Sequence, residues 1–222
     1  VEKKYHVFSI DKHSYASNTN LLKKIKNKKF KHYKLDIGDL NKLEKIILKI
    51  NPDLIINFAA ESHVDNSILS PKKFIKSNIV GTYNLLEISK KINKKKNIKF
   101  IQISTDEVYG DLDLLSRKKF NESSPMKPNS PYSASKASAE MLVRAWSKTF
   151  NLPTIIIRSS NNFGPYQNNE KFIPTIISNL INKKKIPVYG KGKNIRNWIY
   201  VEDNVDAIFK IIKKGKIGEV YN

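Results

Sequence analysis

A doubly wound α/β fold built on a parallel sheet is what this sequence predicts, and three observations predict it. Short apolar runs rich in Ile, Val and Phe alternate with helical patterns along most of the chain. The connections between them are too short to separate domains. The 222 residues show no internal repeat and suffice for one large α/β core or two small domains.

The elements follow in order. Tyr5 to Ile10 reads as a strand that Asp11 ends, and Leu21 to Lys29 as a lysine-rich helix. Phe30 to Leu35 is a second strand, closed by Asp36-Ile37-Gly38-Asp39. Asp39 is placed to cap a helix with apolar positions Leu40, Leu43, Ile46, Ile47 and Ile50, which Asn51-Pro52 stops. Asp53 to Phe58 is a buried-type strand. A long helix is predicted from Pro71, well suited to a first turn, to Ile92. A strand over 98–103, a loop over 121–131, a helix from Tyr132 to Phe150 and a strand from Pro153 to Arg158 complete the regular alternation. Beyond Arg158 the pattern changes. Ser160 to Gln167 reads as loop, Phe172 to Lys183 as helix, Ile186 to Gly190 and Trp198 to Val201 as short strands, and Glu202 to Lys214 as a helix with Asp203 in its first turn. The change divides the chain into 1–159 and a smaller region, 160–222.

Composition narrows the function classes. With no cysteine, disulfides and Cys-based metal sites are excluded, and a reducing, cytoplasmic setting is expected. The four histidines have no metal-ligand spacing, so no metal is expected. No apolar run approaches the roughly 20 residues that span a bilayer. The net charge is +21, from 41 basic and 20 acidic residues. The basic residues are nearly all Lys, among abundant Asn and Ile, and runs such as Lys94–Lys96 and Lys183–Lys185 sit where surface loops are expected. That bias favours a solvated surface over a nucleic-acid partner, although such a surface would draw in an anionic nucleotide.

The chemistry concentrates in Ser104-Thr105-Asp106-Glu107-Val108-Tyr109-Gly110. A hydroxyl and two carboxyls stand together where the 98–103 strand ends, and ligands bind at the carboxyl ends of strands in open α/β sheets. Tyr132 and Lys136, four apart at a helix start, share one face. A second Tyr-x-x-x-Lys match, Tyr189/Lys193, lies in a Gly-rich turn where that spacing has no helical meaning. A base, an acid, a hydroxyl and a Tyr/Lys pair can thus converge, provided the strand tip faces Tyr132. An ammonium beside a phenol is expected to lower the phenol pKa.

Thr105-Asp106-Glu107 with Tyr132-x-x-x-Lys136 resembles the extended short-chain dehydrogenase/reductase family, and within it the nucleotide-sugar 4,6-dehydratases, most of all the branch acting on dTDP-glucose. The resemblance implies a Rossmann-like fold, bound NAD, and a lyase reaction in deoxysugar synthesis: oxidation at C4, elimination across C5/C6 and reduction at C6. It implies that Tyr132 is the base for the sugar hydroxyl, with Thr105 bonding that hydroxyl and Lys136 holding the nicotinamide ribose. Glu107 would remove the C5 proton and Asp106 would donate to the departing C6 hydroxyl. Asp11, Lys12 and Ser14 resemble adenosine-ribose contacts, Asp36 and Ile37 the adenine side, and Phe58, Ala59, Ala60 and Ser62 the segment beneath the nicotinamide. Ser77 and Asn162 resemble further cofactor contacts. Ser62, Asn161, Lys171, Phe172, Pro174, Pro187, Tyr189 and Arg196 resemble substrate contacts, Arg196 suiting a diphosphate through its bidentate guanidinium. The family's Arg-Asp-Trp is Arg196-Asn197-Trp198 here, and its Val-Glu-Asp-His is Val201-Glu202-Asp203-Asn204. The helices over 71–92 and 132–150 resemble those that pair across a family homodimer.

An acidic residue ending the second strand of such a fold binds the adenosine ribose, and a Gly-rich pyrophosphate turn belongs about 20 residues earlier. Only ten residues precede Asp11, none of them Gly. The expectation is that a first strand and its Gly-rich loop, and further substrate residues at the other end, lie outside this sequence, and that the chain alone is inactive. The alternatives are a UDP-glucose 4,6-dehydratase, a related epimerase or decarboxylase, or a non-catalytic RNA binder. A steep loss of RNA affinity with salt would mark the last.

Overall fold

The computed structural model describes residues 5–113, 116–188 and 191–222. The strands are β1 (Val7–Asp11), β2 (Phe30–Lys34), β3 (Leu54–Asn57), β4 (Lys99–Thr105), β5 (Thr154–Ser159), β6 (Asn161–Phe163), β7 (Trp198–Tyr200) and β8 (Val220–Tyr221). The helices are α1 (Thr19–Lys24), α2 (Leu40–Ile50), α3 (Val64–Leu69), α4 (Pro71–Phe74), α5 (Gly81–Asn93), α6 (Pro131–Phe150), α7 (Phe172–Ile181) and α8 (Val201–Lys214). Among the described residues every strand pairing is parallel, so the α/β class is the observed one.

The predicted sheet is divided. The strands β3-β4-β5-β8 form a four-stranded sheet, whereas β1-β2 and β6-β7 are two-stranded ladders. The β1-β2 pair joins the rest through side chains: Ile10 and Leu35 pack on the shared core, and Lys12 is ion-paired to Glu61 after β3. The final segments return to the main sheet. Val220 pairs with Ile156, and Ile208 of α8 packs on that sheet.

Helices cover both faces of the four-stranded sheet, and the pleat explains how. Phe100 and Ile156 point into a layer made by Leu43 and Ile47 of α2, Leu86 and Ile88 of α5, and Val143 of α6. Their neighbours Ile101, Ile155 and Ile157 point the other way, against Ile208 and Ile211 of α8. Strands buried on both faces read as continuous apolar runs, which is why Ile155-Ile156-Ile157 carries no polar alternation.

Local chemistry sets the element ends. Asp39 caps α2 by accepting from the Lys42 N–H at 3.2 Å, and Asn51 ends it in the left-handed conformation. Ser130 and Ser133 form a reciprocal capping box at α6, one residue from Pro131 and two from Tyr132. Ser130→Ala is expected to cost about 1 kcal/mol and to lower the melting temperature by about 2–4 °C in a thermal melt.

Several elements differ from the sequence expectation. The Leu21–Lys29 helix stops at Lys24, because Ile25 turns extended and only lysines and Asn27 follow. A short helix, α3, occupies Val64–Leu69. The 71–92 helix is continuous but passes through a π-helical stretch, Ile75–Val80. Its wider turn buries both Ser77 and Asn78, and such insertions recur at functional sites. Gly81 follows it, packed so closely on Ile37 that a β-carbon would lie 2.5 Å from Ile37 Cδ1. Part of the predicted 160–167 loop is β6, held by β7. The described part of the predicted 186–190 strand, 186–188, forms no ladder; Tyr189 and Gly190 lie outside the described residues.

Candidate active site

The catalytic candidates stand where the strand tip of β4 meets the start of α6. Thr105 is the last residue of β4 and caps a single 3₁₀ turn, Asp106–Tyr109, its hydroxyl accepting from the Glu107 N–H at 3.2 Å. The same hydroxyl donates to Asp106 Oδ1 at 3.3 Å. Gly110 ends the turn at φ +83°, and a β-carbon there would meet the Lys127 carbonyl at 2.2 Å. On α6, Tyr132 and Lys136 are both buried. The Lys136 ammonium donates to the Ile103 carbonyl on β4 at 2.5 Å, which ties the helix to the strand that ends in Thr105.

The catalytic turn packs against α6, and its groups act on one another electrostatically. Burial raises the Tyr132 pKa well above its ordinary range; the charges of Glu107 and Asp106 raise it further, against a hydrogen bond with Thr105 that lowers it. The expectation that Lys136 lowers this pKa is corrected: burial and two carboxyls dominate, and the ammonium is turned to a backbone carbonyl. Lys136 itself is pushed down to about 8 by burial, opposed by the charge of Glu140. Burial raises the pKa of both Asp106 and Glu107, and Asp106 lifts Glu107 further. Arg196 lowers both, and Lys171 lowers Glu107.

The substrate candidates are placed unevenly around this centre. Lys171 donates to the carbonyl and hydroxyl of Ser62, each at 3.2 Å, so Ser62 and Lys171 meet beside Glu107. Phe172 opens α7 and stacks on Trp198 at 6.1 Å between ring centroids; Pro174 follows in the same first turn. Arg196 is exposed, its Nη1 bonded to its neighbour's carbonyl, yet its charge reaches both carboxyls. Asn161 and Asn162 lie on β6; Asn162 accepts from Asn204 at 2.8 Å, and Asn204 accepts from Ser159 at 3.1 Å. Pro187 is exposed without regular structure, and Tyr189 lies outside the described residues.

A cleft gathers most of the cofactor candidates. Asp11, Lys12 and Ser14 after β1 meet Asp36 and Ile37 after β2, Ala59 and Ala60 after β3, and Ser77 of the π stretch around an open space of about 360 Å³. Three separate loops reach it from the carboxyl ends of parallel strands, and the π stretch closes its fourth side. Asp11 Oδ1 accepts from the His13 N–H at 2.6 Å and the Ser17 hydroxyl at 2.8 Å, which holds the carboxyl at the mouth. Lys12 is committed to Glu61. Phe58 is 58% exposed and lies outside this lining. A polar cleft of carboxylate, hydroxyls and small side chains fits the sugar and base of a nucleotide.

Sequence reasoning missed Asn78. It is buried, exchanges hydrogen bonds with the backbone of Glu61 at 2.8 and 3.0 Å, and donates to Ser135 of α6 at 2.8 Å. It thereby fixes the 59–62 segment between this cleft and the catalytic centre. The available signal was an Asn-Ile-Val-Gly stretch with a polar side chain inside an apolar helix. A group of three or more His, Cys, Asp or Glu able to hold a metal is absent among the described residues, as is a helix long and apolar enough to cross a membrane.

Known proteins resemble this chain along its whole length. A family model described as GDP-mannose 4,6 dehydratase matches residues 1–222. The chain is 49% identical over 223 residues to a dTDP-glucose 4,6-dehydratase of Haemophilus influenzae, covering 97% of this chain and 66% of that protein. The crystal structure of a dTDP-glucose 4,6-dehydratase from Bacillus anthracis in complex with NAD superposes with a TM-score of 0.88 at 42% identity, over 99% of this chain and 67% of that one. DesIV, a dTDP-glucose 4,6-dehydratase from Streptomyces venezuelae solved with NAD bound, gives a TM-score of 0.90 at 37% identity, over 97% of this chain and 65% of that one. The chain spans about two thirds of the length of the curated relatives it matches.

Proposed function

The chain belongs to the GDP-mannose 4,6-dehydratase family, and we propose that its protein converts dTDP-glucose to dTDP-4-keto-6-deoxyglucose with NAD as a resident cofactor. The observation that carries the reading is the pair of half-buried carboxyls, Asp106 and Glu107, on a turn whose charges act on the Tyr132 phenol. Oxidation at C4 alone needs Tyr132, Lys136 and Thr105; an adjacent acid and base are what elimination adds.

Asp11, Lys12, Ser14, Asp36, Ile37 and Ser77 would hold the adenosine part of NAD. Ala59, Ala60, Tyr132 and Lys136 would face its nicotinamide end, with Phe58 and Asn162 at the margin. When bound, NAD supplies the hydride acceptor for C4 and the donor for C6. The residues do the rest. Tyr132 takes the proton of the C4 hydroxyl, which Thr105 orients. Glu107 removes the C5 proton, acidified by the C4 ketone, and Asp106 protonates the departing C6 hydroxyl. The roles require one carboxyl neutral and one ionised. Two adjacent carboxyls share a proton in that way, and burial raises the pKa of both. Region 160–222 would supply the nucleotide-diphosphate contacts, chiefly Asn161, Lys171, Phe172, Pro174, Pro187, Tyr189 and Arg196. A homodimer through α5 and α6 is part of the proposal; Tyr83, Met141 and Phe150 support it by being well exposed on these neighbouring helices.

The test incubates the protein, expressed from its complete gene, with dTDP-glucose and, separately, UDP-glucose. The expected product is a 4-keto sugar lacking one water by mass spectrometry, formed from dTDP-glucose. An epimer of unchanged mass would replace this reading with that of an epimerase.

A further inference from the structure

One buried guanidinium touches three segments around the catalytic centre. Arg158, on β5, forks onto Glu140 of α6: Nε lies 3.2 and 3.0 Å from its two carboxylate oxygens, and Nη2 lies 2.7 Å from Oε2. Its Nη1 donates to the Tyr109 hydroxyl at 2.7 Å, and to the Glu122 carbonyl, in the connection before α6, at 3.4 Å. Arg158 is 6% exposed and Glu140 fully buried. We propose that Arg158, clamped by Glu140, is the positioning residue that locks the Asp106–Glu107 turn against the Tyr132–Lys136 helix. The inference rests on the reaction proposed above.

Stability alone does not call for this pair. A buried ion pair gives up much of its attraction to desolvation, and apolar side chains of similar volume often serve as well. What the fork adds is direction, since its donors are fixed in one plane. Two of the acceptors, Glu140 and Tyr109, each lie one turn from a catalytic group. Glu140 follows Lys136 by four residues on the same face of α6. Tyr109 ends the 3₁₀ turn three residues after Asp106, so the two stack on one face of that turn. Tyr109 is itself held: its hydroxyl donates to Asn222 at 2.7 Å and its ring stacks on Phe120 at 5.0 Å. A shift of the guanidinium therefore moves the carboxyls relative to the phenol. Glu140 has a second effect, since its charge supports the protonated form of Lys136.

The test replaces the pair together, Arg158→Met with Glu140→Leu, so that no buried charge is left unpaired. The variant is expected to melt at or above the wild-type temperature, with kcat reduced roughly 100-fold by misalignment and KM little changed. Amide exchange at Glu107 and Gly110 should accelerate while exchange at Ile101 stays as in wild type. Arg158→Lys, which keeps the charge and loses the fork, covers the case in which the double variant fails to fold, and the same kcat loss is expected of it. In Glu140→Gln, the fall of activity with rising pH should move to lower pH, because Lys136 loses its supporting charge. A folded double variant, or Arg158→Lys, with wild-type kcat and exchange would overturn the proposal. If wild-type protein releases no water from dTDP-glucose, the reaction itself is misassigned; the exchange measurements still decide whether Arg158 holds the turn.

Discussion

Glu107→Gln is expected to abolish loss of water from the nucleotide sugar while leaving oxidation at C4 in place. The amide keeps the shape of the side chain and leaves the Glu107 N–H on Thr105 untouched, so the turn is preserved. What is lost is the group that accepts the C5 proton, and removal of one general base costs about 10²–10⁴-fold in rate. The measurement is incorporation of solvent deuterium at C5, followed by mass spectrometry, beside the yield of dehydrated product. Both should vanish, and Thr105, Tyr132 and Lys136 should still oxidise C4. Loss of the oxidation as well would show that Glu107 acts before elimination and would remove its assigned role. The same variant carries a stability signature. Burial and the Asp106 charge raise the Glu107 pKa, so the folded state holds this proton more tightly than the unfolded chain. Its contribution is fully present below the ordinary carboxylate range and is lost as pH rises through the raised value. Glu107→Gln removes that dependence and should melt higher than wild type at neutral pH, by more than it does under acid conditions.

The site was legible where its determinants are local. Thr105, Asp106 and Glu107 are consecutive, and Tyr132 and Lys136 are one helical turn apart, so a strand end and a helix start were enough to bring them together. The Asp39 cap and the Asn51 stop were legible for the same reason: each acts on a backbone group within four residues. Contacts between distant segments left no such trace. Lys12 and Glu61 are 49 residues apart, Asn78 and Ser135 57, and Arg158 and Tyr109 49. None of these pairs has a spacing that periodicity can report. The β6-β7 ladder escaped notice because Asn161-Asn162 is poor strand sequence, and its register comes from Trp198 to Tyr200 more than thirty residues on. The Tyr132 error has the same origin. The sequence shows a Lys one turn away, but burial and the approach of Glu107 are properties of the packed state, and they outweigh it.

Lys136→Met is expected to stabilise the protein and inactivate it. The ammonium is buried, 4% exposed, with the Ile103 carbonyl as its hydrogen-bond acceptor. Burial lowers its pKa from the ordinary 10.5 to about 8, so at neutral pH the fold carries a charge that the unfolded chain holds more cheaply in water. Below pH 8 both states bind the proton and the penalty is constant. Between about 8 and 10.5 the folded state has released the proton while the unfolded chain retains it, so wild type gains stability with rising pH. The full span corresponds to roughly 3 kcal/mol. Methionine, unbranched and of similar length, fills the space without the charge. Melts of the two proteins should therefore differ most below pH 8 and converge toward pH 10. Activity should move the opposite way. Lys136 would hold the nicotinamide ribose beside Tyr132, and methionine offers no donor for that contact. With methionine there, C4 oxidation should fall about 10²–10⁴-fold, and deuterium exchange at C5 should fail with it, because no ketone forms to acidify that proton. Glu107→Gln stops the reaction after C4, whereas Lys136→Met stops it before. Exchange at C5 surviving in Lys136→Met would show that the ammonium is not needed for the first step, and would leave Thr105 as the group that activates the phenol.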